Sequence, residues 1–158
     1  HPVLRSLTDE EQREVSDQLL AWGGLKPIVR STHRTLSEDE LISLAKDGLV
    51  DIGAHTVTHP VLSALPLAAQ QAEIEGSKAR LEENLGRPVT NFAYPYGLRS
   101  DYSAETVTVV EQAGFDCASS SEEDNVWRGS DRFQLPRRIV FDWDGDEFAR
   151  KLAQWLGG

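Results

Sequence analysis

The chain has 158 residues, 39% of them apolar and 27% charged, which is the size and composition of one globular domain. Its 26 acidic residues outnumber 16 basic ones and leave a formal charge of −10, a field that repels nucleic acid and anionic lipid and argues against both as partners. No window approaches the roughly 20 apolar residues of a membrane span, the opening "HPVLRSL" has no basic-then-apolar signal pattern, and the single cysteine, Cys117, excludes an internal disulfide framework.

In chain order, the first element is "TDEEQREVSDQLLAWGG". Thr8 and Glu11 stand at capping-box spacing, Val15, Leu19, Leu20 and Trp22 recur at helical intervals, and Gly23-Gly24 supplies the stop. "LKPIVRSTHRT" has no period and reads as a loop. "SEDELISLAKDG" repeats the first design, with Ser37 and Glu40 as the box, Leu41, Leu44 and Ala45 as the inner stripe and Gly48 as the stop. The run "LVDIGAH" is short, β-branched and apolar, which suits a strand covered on both faces.

"LPLAAQQAEIEGSKARLEENLG" then reads as a long helix, opened near Pro66, striped by Ile74 and Leu81 and closed by Gly86. "VTNFAYPYG" reads as a strand broken at Pro95 and Gly97, because proline cannot donate to a ladder. "SAETVTVVEQAG" is a helix capped by Ser103 and stopped by Gly114, "FDCASSS" a strand, and the polar stretch 119–132 a loop. "FQLPRRIVF" gives a last strand weakened by Pro136, and "DGDEFARKLAQWL" a last helix ending at Gly157-Gly158. Helices and short apolar strands that alternate in this way predict an α/β sheet with parallel crossovers, whose site lies at the C-terminal ends of the strands.

Two segments at such strand ends carry candidate chemistry. In "GAHTVTHP", His55 and His59 are four apart, and neutral imidazole is a common ligand for zinc and similar divalent metals. Pro60 and the preceding strand put the pair on a loop, where spacing fixes no geometry, so hydrogen-bonded histidines closing a turn are the alternative. A metal would also need a third ligand, and neither His1 nor His33 recommends itself. In "FAYPYG" two tyrosines flank a proline; the segment reads as an aromatic turn on the core or as a surface for the apolar faces of a sugar.

Taken together, "HTVTHP" and, about thirty residues on, "FAYPYG" resemble the polysaccharide deacetylase family, the NodB-homology or carbohydrate esterase family 4 domain, over roughly residues 36–156. The resemblance implies a distorted (β/α) barrel, of which this single domain, 1–158, is a partial version, the C-terminal portion, with 1–35 a helix and loop ahead of the matched region. It implies that His55 and His59, in the family pattern H-[S/T]-x-x-H, are ligands of a divalent metal, most often Zn2+, with the Thr56 hydroxyl bracing their loop. Tyr94, Pro95, Tyr96 and Gly97 fall on the end of the pattern R-x-P-Y-G, which implies that they wall the substrate groove and that the Tyr96 N–H helps hold the carbonyl oxygen. Trp127 falls near the family's groove tryptophan, with a rim or core role as the alternative. The implied partner is an N-acetylated glycan, which would lose acetate.

The departures are as specific as the match. The family pattern T-F-D-D-G, which carries the catalytic base and a third metal ligand, is absent from the 158 residues, and the chain has no methionine, so a truncated or processed chain with little activity of its own is expected. Ala93 stands where the family has an arginine. Leu135, Pro136 and Arg137 stand where it has a leucine and a general-acid histidine. Arg137 does not give up its proton near neutral pH, so it could stabilise an anion but not act as general acid. A metal-free carbohydrate-binding module and a metal-dependent esterase or amidase of other specificity are the alternatives, and Asp51 is the reserve base. "DWDGDEF" lacks the twelfth-position glutamate of a calcium loop and reads as a helix N-cap, and Cys117 as a core residue.

Overall fold

The computed structural model describes residues 7–26 and 32–157, with the backbone alone at Asp9. The elements are α1 (Asp9–Trp22), α2 (Glu38–Ala45), a 3-10 turn (Leu62–Ala64), α3 (Leu67–Leu85), β1 (Asn91–Ala93), α4 (Ala104–Gln112), β2 (Cys117–Ser119) and α5 (Gly145–Leu156). His1, residues 27–31 of the expected loop and Gly158 lie outside the described residues.

Four of the five helices described begin where a side chain can take an orphan N–H. Thr8 and Glu11, Ser37 and Glu40, and Ser103 and Thr106 form reciprocal boxes at the starts of α1, α2 and α4, and the Asp144 carboxylate accepts from the Glu147 N–H at the start of α5. The N-cap reading of "DWDGDEF" holds. Helix α3 starts after Pro66 and ends at Gly86, whose left-handed φ of 63° closes it.

β1 and β2 are parallel, in the register Asn91 to Cys117, Phe92 to Ala118 and Ala93 to Ser119. Ala54 bridges to Phe92 on one side and Leu135 to Ser119 on the other, both parallel, so the chain segments run in the order Ala54, β1, β2, Leu135. Ile74 of α3 and Val109 and Val110 of α4 pack with Leu62, Val89, Phe92, Phe115 and Ala118 in one core cluster. Full burial of a side chain such as Ile74 or Leu62 contributes about 1.5–3 kcal/mol. A buried polar pair between α3 and α4 is satisfied: the Thr106 hydroxyl donates to Gln70 Oε1 at 2.6 Å, and Gln70 Nε2 donates to the Leu65 carbonyl at 2.9 Å.

Three sequence expectations need correction. "LVDIGAH" is not a strand buried on both faces; it reduces to the bridge at Ala54, and Leu49 is 90% exposed. Among the described residues, nothing pairs with the far side of Ala54, and a strand needs a partner to bury its ladder. "FQLPRRIVF" likewise reduces to the bridge at Leu135, because Pro136 has no N–H to give and Ile139, Val140 and Phe141 stand exposed. The expected inner stripes of α1 and α2 are only partly covered: Val15, Leu20, Leu41 and Ala45 are half-buried, while Leu19, Trp22 and Leu44 are exposed.

Because all pairings are parallel, the chain leaves every strand or bridge toward the same edge. That edge receives His55 after Ala54, Tyr96 after Ala93, Ser121 after Ser119 and Arg137 after Leu135.

Candidate active site at the strand ends

His55 is set by a bond across the sheet. Its Nδ1 lies 2.7 Å from the Ala93 carbonyl. A carbonyl only accepts, so Nδ1 carries the proton and the Nε2 lone pair is left for another partner. Packing around the imidazole lowers its pKa: desolvation is the largest cause, the Ala93 carbonyl opposes it, and the positive charges of His59 and Arg137 add to it. His55 is therefore neutral in the form that can ligate a metal.

The loop that follows turns sharply. Thr56 and His59 take positive φ of 65° and 60°, and Tyr96 takes 60°; among the described residues these are the non-glycine residues with left-handed backbone. Such positions cost on the order of 1–3 kcal/mol each and persist where surrounding contacts over-determine them, commonly at functional sites. Thr56 meets that cost with its hydroxyl, which donates to the His55 carbonyl and accepts from the His59 N–H at 3.1 Å. This is the brace expected of it. The turn carries His59 back over His55, ring centroids 4.7 Å apart and edge to face at 69°.

The second wall comes from "YPYG". Gly97 N–H donates to the Pro95 carbonyl at 2.6 Å across Tyr96, a tight γ-turn with its central residue at positive φ. Gly97 itself has φ 78°, and its carbonyl accepts from Ser121 N–H at 2.8 Å; a Cβ there would lie 2.7 Å from Ser121 Oγ, so only glycine permits this approach. The turn sends the half-buried Tyr96 ring against His59, centroids 4.8 Å apart at 72°.

Arg137 arrives from the next segment. Its Nε donates to the Ser120 carbonyl at 2.6 Å, Nη2 to Ser121 Oγ at 3.3 Å, and its backbone N–H to the Glu122 carbonyl at 2.9 Å. The structure therefore brings His55, His59, Tyr96 and Arg137 to one edge. Ala93, through its carbonyl, and Ser120 and Ser121, through a carbonyl and a hydroxyl, hold the site together and escaped the sequence reading. A backbone acceptor has no side-chain signature, and the serines read as the end of a strand.

Tyr94 and Pro95 do not line a groove. Tyr94 is 1% exposed, stacks on Tyr102 with centroids 4.0 Å apart and donates its hydroxyl to the Phe133 carbonyl at 2.9 Å, and Pro95 is buried with it. Strand alternation explains the split: with Phe92 and Tyr94 in the core, the γ-turn is what returns Tyr96 to the surface. Trp127 is 61% exposed beside a depression of about 290 Å³ lined by Arg99, Glu122, Asp131 and Gln134. Asp51 sits toward the opposite end of the strands, accepting from Asn91 Nδ2 and paired with Arg87 at 3.6 Å, and is not placed to act as a base beside the histidines. Cys117 is half-buried, its thiol turned to Asn91 Oδ1 at 3.0 Å.

Two imidazoles in edge contact, one with its Nδ1 proton committed to a carbonyl and its Nε2 turned from that anchor, suit two positions on a divalent cation. Among the described residues, no group of three or more His, Cys, Asp or Glu side chains is assembled to complete them.

Parallel strand ends that gather such a loop, γ-turn and arginine on one edge define an α/β domain with its candidate site at the C-terminal ends of the strands. The family model for polysaccharide deacetylases matches residues 1–118, and the chain belongs to that family. The match reaches residue 1, so α1 falls inside it, ahead of the span to which the motifs alone point. Poly-beta-1,6-N-acetyl-D-glucosamine N-deacetylase of Staphylococcus aureus strain MRSA252 is 28% identical over 130 residues, covering 77% of this chain and 43% of the relative. The chain thus spans less than half the length of the curated relatives it matches. Among solved structures, the Streptococcus pyogenes deacetylase PplD superposes with a TM-score of 0.67 at 21% identity, covering 76% of this chain and 52% of that one. IcaB from Ammonifex degensii superposes with a TM-score of 0.65 at 22% identity, covering 84% of this chain and 57% of that one. These likenesses establish the fold as a partial distorted (β/α) barrel of the deacetylase type. Among the described residues, no helix is long and apolar enough to cross a membrane.

Proposed function

We propose that the protein to which these residues belong removes acetyl groups from an N-acetylated glycan, and that His55 and His59 supply two ligands of a divalent metal, zinc before others. The observation that carries this reading is the His55 bond to the Ala93 carbonyl, which fixes the proton of the neutral imidazole on Nδ1 and leaves the Nε2 lone pair for another partner. A cation bound there would supply Lewis-acid polarisation of the acetamide carbonyl. The reaction consumes water and releases acetate and an amine. The 158 residues carry no T-F-D-D-G pattern, so in this reading they do not supply the base and third ligand that the family pattern carries, and the chain alone is inactive or nearly so.

The remaining residues position and stabilise. Arg137, always protonated, offers charge to the developing oxyanion or the departing acetate and cannot serve as the general acid. Tyr96 packs beside the reacting edge, with its N–H as the proposed contact to the carbonyl oxygen. The exposed Trp127 ring suits the apolar face of a pyranose. The S. aureus relatives, by name, act on poly-β-1,6-N-acetyl-D-glucosamine, which makes β-1,6-linked N-acetylglucosamine oligomers the first substrates to try.

A metal-free carbohydrate-binding module is the rival. Acetate release by the complete protein, with zinc added, from β-1,6-linked N-acetylglucosamine and chito-oligosaccharides separates the two. Release that disappears in His55→Ala supports the deacetylase; glycan binding without release, unchanged by chelator, supports the module.

A further inference from the structure

We propose that Glu73, on the middle of α3, is a positioning residue for the histidine loop. Its carboxylate accepts three hydrogen bonds from one short stretch of that loop: Oε2 from the Val57 N–H at 2.7 Å and the Thr58 N–H at 2.8 Å, and Oε1 from the Thr58 hydroxyl at 2.8 Å. Val57 and Thr58 are the two residues between the left-handed Thr56 and His59. The segment whose backbone must be forced into unusual conformation is thus the segment the carboxylate grips.

The helix surface around Glu73 is shaped for this contact. Gly76 is three residues on and shares its face. A Cβ at Gly76 would lie 3.3 Å from Val57 Cγ2, so the missing side chain lets the loop settle onto the helix. The half-buried carboxylate satisfies two adjacent backbone donors at charge-assisted distances, where a neutral side chain would offer less. Thr56 ties the two ends of the loop to each other from within; Glu73 ties its middle to the scaffold. Both are needed to keep His59 over His55 at 4.7 Å.

The role in metal binding rests on the proposed function above, whereas the grip on the loop does not, and the experiment keeps them apart. The 158-residue chain is prepared as wild type, Glu73→Ala and Glu73→Gln. Amide hydrogen exchange is followed residue by residue, and zinc affinity is measured by competition with a chelator. In Glu73→Ala, exchange at Val57, Thr58 and His59 should rise about tenfold or more while Phe92 and Val110 keep their protection. Zinc affinity should fall about 10–100-fold, as for other outer partners of ligating residues. Glu73→Gln keeps one carbonyl acceptor for the amides and a donor to the Thr58 hydroxyl, and should recover most of both. Unchanged loop exchange, a rise spread evenly through the core, or zinc affinity equal to wild type would each overturn the proposal. If wild type takes up no zinc and loop exchange still rises in Glu73→Ala, the metal reading fails and the grip of Glu73 on the loop stands.

Discussion

The strand-end site and the C-terminal segment, residues 139–156, are built on opposite terms. At the site, three left-handed non-glycine residues are held by short-range hydrogen bonds, ring contacts and a buried sheet, so unfavourable backbone is carried by favourable surroundings. In the C-terminal segment the local chemistry of the helix itself is favourable. Asp144 caps α5, Trp143 lies 5.9 Å from Trp155, Arg138 stands over the Trp155 ring at 5.5 Å, and Asn125 Nδ2 donates to the Trp155 carbonyl. Yet no residue of α5 is buried, and Val140 and Phe141 are 58% and 64% exposed. The contrast teaches that capping and pattern suffice to form a helix, whereas burial depends on a partner surface supplied from elsewhere in the fold.

The comparison breaks most sharply if the two regions respond alike to truncation. Ile74→Ala, at a fully buried position, should cost about 2–5 kcal/mol in urea unfolding, while Leu152→Ala on α5 should stay within about 0.5 kcal/mol. Comparable losses would mean that α5 is packed more tightly than its exposure indicates.

Gly97→Ala tests the site's dependence on an unusual backbone. The new Cβ would meet Ser121 Oγ and N at 2.7 and 2.8 Å at a φ of 78°, so destabilisation on the order of 2 kcal/mol is expected. Because Ser121 also receives Arg137, the same change should shift the Arg137 guanidinium resonance in NMR spectra. Tyr94→Phe is a smaller test. It leaves the buried Phe133 carbonyl without its donor and should cost about 1 kcal/mol in the same unfolding assay, with no change in glycan affinity, since the ring never reaches the surface.

The smallest effect concerns α2. The Arg34 guanidinium, followed by the Ser37 backbone N–H, holds the Glu40 carboxyl down to about 2 from its ordinary 4.5. A depressed carboxyl contributes stability above its unfolded pKa, which is lost as pH falls through the folded value. The gap between wild type and Glu40→Gln in urea midpoint should therefore be constant above about pH 5 and close as pH approaches 2. It should also shrink with salt, because the pair is exposed.

How far these features were legible in the sequence depends on the range of the interaction that sets them. Capping boxes at Thr8 and Ser37, the cap at Ser103 and the stop at Gly86 span a few residues, and all four appear where the pattern puts them. The strand lengths did not follow, because "LVDIGAH" and "FQLPRRIVF" have strand-like composition but lack a paired edge. Within the site, the residue types of the histidine loop were legible. Tyr94 was not: in "YPYG" two tyrosines look equivalent, and only the γ-turn at Tyr96 sends one to the core and the other to His59. The contribution of Ala93 is a carbonyl, which any residue could have supplied.

The most direct test of the account is zinc uptake by the histidine pair. The purified chain is stripped with chelator, titrated with Zn2+ and compared with His55→Ala at equal folded fraction. Wild type should bind one equivalent, weakly for want of a charged third ligand, with the His55 and His59 imidazole resonances shifting together, and the variant should lose that binding. Equal zinc uptake by the two proteins would contradict the assignment of His55 and His59 as ligands.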